Sequence, residues 1–285
     1  AVGLNRSENT QRGINPSQGN LWTQQYLAAG HTQLTFPLPS FDRAGLLTDI
    51  ERNDPTMNLK VREALMLAID QKAIADEFHS GGSTATSSIY SLASFGFRDS
   101  VGYNIRPYDP EGARQLLSEA GYADGFDIDA HWSRISSATG LSLMPKAISD
   151  YWAAIGVKVN FIEHEQPHFI DLINKRSLKP VVLQTFRRQA NSGQRVFVTY
   201  LFNALYPSAW DEEINDLAAK ILTSLDKDEQ LKLMAELEDK VFSLKETFPI
   251  YAMSRINAYS DRVLAHPTPA YARHFLDLDR IILRN

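Results

Sequence analysis

The side chains of this sequence that could do chemistry are histidines, arginines and one tryptophan. His164 and His168 are interleaved with Glu163, Glu165 and Pro167, a donor set that on paper suits a divalent transition metal. Pro167 prevents one continuous helix through both histidines, so the i,i+4 geometry of a helical metal site does not apply. The expectation is therefore no metal and exposed loop histidines. The run Arg187-Arg-Gln-Ala-Asn-Ser-Gly193 carries two guanidiniums and no acid, and could receive carboxylate or phosphate in a planar, bidentate way. In Trp132-Ser-Arg-Ile-Ser-Ser137, Trp132 offers a face for stacking and Arg134 a charge for pairing, although a tryptophan beside a strand end also suits core packing.

Those residues are positioned by a strand–helix–strand–helix–strand rhythm. Phe126 to His131, Val157 to Ile162 and Val181 to Phe186 read as strands. Between them, helices are expected from about Leu141 to Ile155, stopped by Gly156, and from about His168 to Lys175. The pattern argues for an α/β sheet with crossover helices. Upstream, Leu21 to Ala29 reads as a short helix ended by Gly30, and Thr32 to Leu38 as a strand. Val61, Ala64, Leu65, Ala68 and Ile69 form one apolar helical stripe behind an Asn58 cap, and Asp70 caps a second short helix. Ser80 to Pro107 is a functional loop or a covering strap, with Tyr90 and Phe97 as aromatics that could face a cleft. Asp109, Pro110 and Glu111 start a helix that Gly121 stops. Helices over Glu212 to Leu222 and Asp228 to Lys245 and an apolar strand at Phe248 to Ala258 follow, and the tail ends in Asp277 to Leu283.

Composition narrows the function. With 44% apolar and 22% charged residues, the 285-residue chain has the make-up of a globular protein. Its net charge of −5, with no basic block, disfavours nucleic-acid binding. The absence of cysteine removes disulfides, thiol nucleophiles and thiolate metal sites. There is no apolar run long enough to span a membrane, and the polar residues Ala1 to Gln25 contain no signal peptide. A Gly-x-Ser-x-Gly elbow, a phosphate-cradling Gly-Lys-Ser/Thr loop and a His-Glu-x-x-His helix are likewise missing. Ser, His and Asp are present, but their spacing favours no triad.

One family resemblance runs through the chain. Lys60-Val-Arg-Glu-Ala-Leu-Met-Leu-Ala-Ile-Asp70 resembles the signature helix of the family 5 solute-binding proteins of peptide/nickel-type ABC transporters. Tyr108-Asp-Pro-Glu…Ala-Gly-Tyr122, Asp124-Gly-Phe126, Trp152…Ile155-Gly-Val-Lys-Val159 and Thr247-Phe-Pro-Ile-Tyr251 follow in the family's order. The resemblance spans Gln33 to Leu283 and falls in the family's C-terminal half.

It implies an α/β fold of the periplasmic-binding-protein-like class II, with one lobe largely complete plus pieces of the other. Residues 1–35 would be a first-lobe remnant and crossover, 36–250 the second solute-binding lobe, and 251–285 the return crossover and first-lobe strands. It implies capture of a solute, a peptide or related small polar molecule, by lobe closure without catalysis or cofactor. The partners would be that solute and a membrane ABC permease, with no nucleic acid, and the protein would be a periplasmic or extracytoplasmic monomer. Arg187, Arg188, Gln189, Asn191, Trp132 and Arg134 would face the ligand. Peptide carriers in the family often place an Asp in the loop that here reads Arg187 to Gly193, and its absence departs from recognition of a peptide N-terminus. Two rivals stand beside this reading: a metal-dependent hydrolase built on Glu163, His164 and His168, and a protein-interaction module.

Overall fold

The structure is a computed structural model that describes residues 21–36, 54–77, 83–91, 94–133, 141–175, 177–187, 196, 199–200, 211–260, 263–265 and 282–283. Its elements in chain order are β1 (Leu21–Thr35), α1 (Leu59–Leu67), α2 (Gln71–Glu77), β2 (Ser83–Ala85), the single turn α3 (Asp99–Gly102) and α4 (Pro110–Glu119). There follow β3 (Phe126–Ser133), α5 (Met144–Ala153), β4 (Val157–His164), α6 (Gln166–Asn174), β5 (Val181–Arg187), α7 (Glu212–Thr223), α8 (Lys227–Leu244) and β6 (Thr247–Ser260). Two short strands, β7 (Val263–Ala265) and β8 (Ile282–Leu283), pair with each other.

β2, β6, β1, β5, β3 and β4 form one mixed sheet in that order. β3 lies between β4 and β5 and is parallel to both, whereas β1 runs antiparallel to β5 and β6. β1 is a correction to the sequence reading, which places a helix over Leu21 to Ala29. Leu, Gln and Ala favour a helix locally, but Leu21–Tyr26 pairs with Ser260–Arg255, more than 200 residues away. Gly30 lies inside the strand, where the register shifts after Tyr26, instead of ending a helix. The two ends of β1 differ in surroundings. Gly30–Thr35 pairs with both β5 and β6, while Leu21–Tyr26 pairs with β6 alone as a two-stranded ribbon.

The main core fills one face of the sheet. Val61, Ala64, Leu65, Ala68 and Ile69, the stripe read from the sequence, are all buried there. They meet Ala113 and Leu117 of α4, Ile148 and Trp152 of α5, and Ile128, Ala130 and Trp132 of β3. Asn58 caps α1, its side chain accepting from Lys60 N at 2.9 Å. Asp70 accepts from Ala73 N at 2.8 Å, and Asp109 does the same for Gly112 at the start of α4. The Trp152 indole donates to Leu65 O at 2.9 Å, joining α5 to α1.

Arg62, on the same helix, is 4% exposed, and its guanidinium is spent entirely inside the protein. It donates to Thr56 O at 2.5 Å, to Met57 O at 3.2 Å and twice to Leu244 O, at 2.8 and 3.1 Å. Burial pulls its pKa down, and the nearby carboxylates of Glu246 and Asp54 pull it back up. Neighbouring Glu63 pairs with Arg106 at 2.7 Å and with Lys245. Gln71 donates to Thr86 O at 3.1 Å and Pro249 O at 2.7 Å. The signature segment thus fastens the preceding turn, the strap, the end of α8 and the start of β6.

The segment after α2 is a covering strap. Ile89 and Tyr90 are buried against Met234, Leu237 and Val241 of α8 and Ile214, Ala218 and Ile221 of α7. The Tyr90 hydroxyl donates to Met234 O at 3.0 Å, so Tyr90 does not face a cleft. Phe97 is packed against the same helical cluster and against Tyr103. Buried Glu238 accepts from Ser88 at 2.6 Å and from Arg98 at 2.9 Å, and Arg98 also reaches Asp239.

Two glycines meet where β3 and β4 begin. Gly125 has φ +76 and Gly156 φ +84, and a Cβ on Gly125 would lie 1.9 Å from the Gly156 carbonyl oxygen. That collision with backbone is the physical content of the Asp124-Gly-Phe126 and Ile155-Gly-Val157 motifs.

Two changes test these anchors. Arg62→Met leaves the carbonyl groups of Thr56, Met57 and Leu244 without their donor; denaturant unfolding is expected to show a loss of about 3 kcal/mol. Gly125→Ala combines a positive φ with a backbone clash and is expected to lower stability by about 2 kcal/mol or more in the same measurement.

Candidate functional site

The strand order β4–β3–β5 sets where a ligand can sit. From β3 the chain crosses to β4 through α5, which packs with the main core on one face. From β4 it returns over β3 to β5 through α6, whose Phe169 and Ile173 pack with Val182 on the opposite face. The crossovers leaving β3 and β4 therefore lie on opposite faces, and in α/β sheets ligands bind in the crevice outside the carboxyl ends of the strands at such a switch point. The two segments read from the sequence as ligand-facing start here.

Arg187 is the last residue of β5, paired across to Gly30 of β1 and four residues beyond the Trp132–Leu183 pair. Arg188, Gln189, Asn191 and Arg134 lie outside the described residues. Of the two readings of Trp132 the structure takes core packing, not ligand stacking: it is 5% exposed and packed in the main core, on the face of β3 opposite His131. Strand alternation explains this, because Ile128, Ala130 and Trp132 share the core face. Its ring is a packing element, not an open stacking platform.

The opposite face carries a histidine stack that the sequence reading did not assemble. His131 Nδ1 and His164 Nε2 are 2.9 Å apart, their rings stacked at 5.2 Å, and His168 leans on His164 with ring centres 5.6 Å apart. His131 Nε2 is 3.0 Å from Lys179 O, which can only accept, so that nitrogen carries a proton. With both rings neutral, His131 Nδ1 then accepts from His164 Nε2–H, and His164 Nδ1 is left without a proton. The expectation of exposed loop histidines is met only in part: His168 is exposed but lies in the first turn of α6, and His164 ends β4 and is half-buried. The missing signal was His131, 33 residues upstream and brought alongside by the parallel register Ser133↔His164.

Burial first, then the neighbouring His131 and His168, push the His164 pKa below its ordinary value of 6.5. Glu163 and Glu165 are exposed. Among the described residues no group of three or more His, Asp or Glu side chains is arranged to hold a metal ion. The hydrolase rival thus gains no assembled centre from its three residues. Nor is any described helix long and apolar enough to cross a membrane.

A mixed α/β sheet with parallel β4, β3 and β5 belongs, by shape, with the class II periplasmic binding proteins. It superposes on a dipeptide-binding protein from Pseudoalteromonas sp. SM9913 in complex with Met-Leu with a TM-score of 0.73 and 22% identity, covering 94% of this chain and 51% of that one. On NikA from Brucella suis in complex with Fe(III)-EDTA the TM-score is 0.76 at 13% identity, with coverage of 94% and 54%.

Residues 13–210 match the family described as bacterial extracellular solute-binding proteins, family 5 Middle, and the chain belongs to that family. The heme-binding protein A of Haemophilus influenzae is 37% identical over 113 residues, 39% of this chain and 20% of that protein. A glutathione-binding protein of Salmonella paratyphi A is 26% identical over 267 residues, 82% of this chain and 50% of that protein. The chain spans about half the length of this longer-matching relative.

The His164 shift gives a pH test. Its folded pKa is depressed, so the unfolded chain takes up a proton that the folded ring resists. The contribution to stability is complete above about pH 6.5 and is lost as pH falls below it toward the folded value. Melting temperatures measured between pH 7.5 and 5.5 are expected to fall more steeply for the wild type than for His164→Asn.

Proposed function

We propose that this chain supplies one wall of a solute cleft and that the protein captures a peptide or related small polar molecule for an ABC importer. The observation that carries the reading is the switch of crossovers after β3 and β4 to opposite faces of the sheet, with Arg187 at the carboxyl end of neighbouring β5. Membership of an extracellular solute-binding family supports it, as does the likeness to carriers whose names record dipeptide, heme and glutathione binding.

The mechanism is capture without catalysis. A second lobe closes over the solute, and the closed form docks on the membrane permease outside the cytoplasm, the protein acting as a monomer. Solute shifts the open/closed equilibrium by its differential affinity for the closed state. Arg187 and Arg188 receive the solute's carboxylate, with Gln189, Asn191 and Arg134 completing its polar contacts. With the wall acting alone, these 285 residues hold solute weakly.

Native mass spectrometry of the full-length protein tests this, because a bound solute survives purification. A ladder of peptide masses supports the peptide reading; a single small anion moves the protein out of the peptide carriers; no retained mass and no calorimetric binding of peptides overturns it. Removal of both guanidiniums, Arg187→Ala with Arg188→Ala, is expected to weaken binding of a carboxylate-bearing solute by roughly tenfold or more in calorimetry.

A further inference from the structure

One row across the sheet is polar on the face covered by α6. Ser133, the last residue of β3, stands opposite His164 of β4. On its other side the Trp132–Leu183 register, continued by one residue, sets Ser133 beside Gln184 of β5. Gln184 in turn faces Gln33 of β1. One step toward the amino ends, the same face carries His131 and the apolar Val182.

The outer members of the row are engaged. Gln33 donates to the Thr35 hydroxyl at 3.0 Å, and His164 is bonded to His131. The two central members are not. Ser133 Oγ and Gln184 Oε1 are buried and have no hydrogen-bonding partner, although Ser133 as a whole is only 5% exposed. Buried polar atoms without partners are rare because they are costly, and each calls for an occupant that completes them. Ser133 ends β3, and Gln184 stands beside it three residues before the carboxyl end of β5.

We propose that Ser133 and Gln184 form a neutral floor of the solute site that hydrogen-bonds an amide group of a peptide or peptide-like solute. This rests on the reading of the chain as a solute-binding wall. A side-chain amide next to a hydroxyl offers both a donor and an acceptor, the complement of a peptide amide's C=O and N–H. The row contains no carboxylate. The closest acid along β3 on this face, Asp129, accepts from Asn160 at 2.9 Å, and His164 and His131 satisfy each other. The floor therefore selects a neutral amide and not an ammonium, while charge recognition is left to the arginines beyond β5.

The test uses the full-length protein and an equimolar tripeptide library, read by native mass spectrometry and then by calorimetry on the best-retained tripeptide. Ser133→Ala and Gln184→Leu are each expected to weaken that tripeptide about tenfold while leaving the melting temperature of the unliganded protein unchanged or raised. An analogue with an ester oxygen in place of its central amide N–H should bind the wild type about tenfold more weakly than the tripeptide, and bind both variants with little further loss. Wild-type affinity retained in the variants overturns the inference and leaves the solute reading standing. A lowered melting temperature with unchanged binding also overturns it, assigning both groups to an internal water. Failure of the wild type to retain any tripeptide overturns the peptide reading and this inference together.

Discussion

The buried guanidinium of Arg62 is the constraint around which the rest of the lobe is arranged. A charge withdrawn from water must be given back its hydrogen bonds by the protein, and here the acceptors come from distant stretches. Thr56 and Met57 supply them from the turn before α1, and Leu244 from the end of α8, 182 residues on. Satisfying one side chain thereby fixes the entry to the signature helix and the exit from the longest helix. Glu63 adds Arg106 and Lys245, and Gln71 adds Thr86 and Pro249. The helix that carries the family resemblance is packed into the main core, with Trp132 among its cluster partners. It is a fastening, and it lends rigidity to the sheet whose strand ends are proposed to bear the site.

That rigidity continues into the sheet's geometry. Gly125 and Gly156 let the amino ends of β3 and β4 approach within backbone contact, so the register Phe126↔Val157 is set at the start of both strands. The same register, carried along eight residues, brings Ser133 beside His164 at the other end. A constraint at one edge of the lobe determines which side chains meet at the opposite edge, because a strand has little freedom to slip once one face is buried.

Much of this was legible in the sequence, for identifiable reasons. The apolar stripe of α1, the caps at Asn58, Asp70 and Asp109, and the strand–helix alternation from Phe126 to Phe186 are local patterns, and local patterns survive folding. What escaped was non-local. Leu21 to Ala29 has helix-forming residues, yet β6 offers pairing along its whole length, and tertiary pairing outweighs a weak local preference. Trp132 allowed both stacking and core packing in the sequence; the parity of β3 decides for the core, because it shares a face with Ile128 and Ala130. His131 was overlooked because its partner is defined by strand register, and Ser133 and Gln184 because a missing hydrogen bond has no sequence signature.

The division between charged loops and a neutral floor bears on how one scaffold serves many solutes. Loops tolerate substitution because they carry little of the core, so charge recognition is placed where it can change without cost to the fold. Groups on the strands are held by their register and packing, and are suited to what solutes have in common. For peptides, the shared feature is the backbone amide, whatever side chains or termini accompany it. A hydroxyl and an amide kept unpartnered on rigid strands weaken the empty protein, and that weakness persists only where binding benefits from it. On the proposed reading, selectivity among solutes falls to Arg187 and the segment after it, and retention of the common backbone to the sheet.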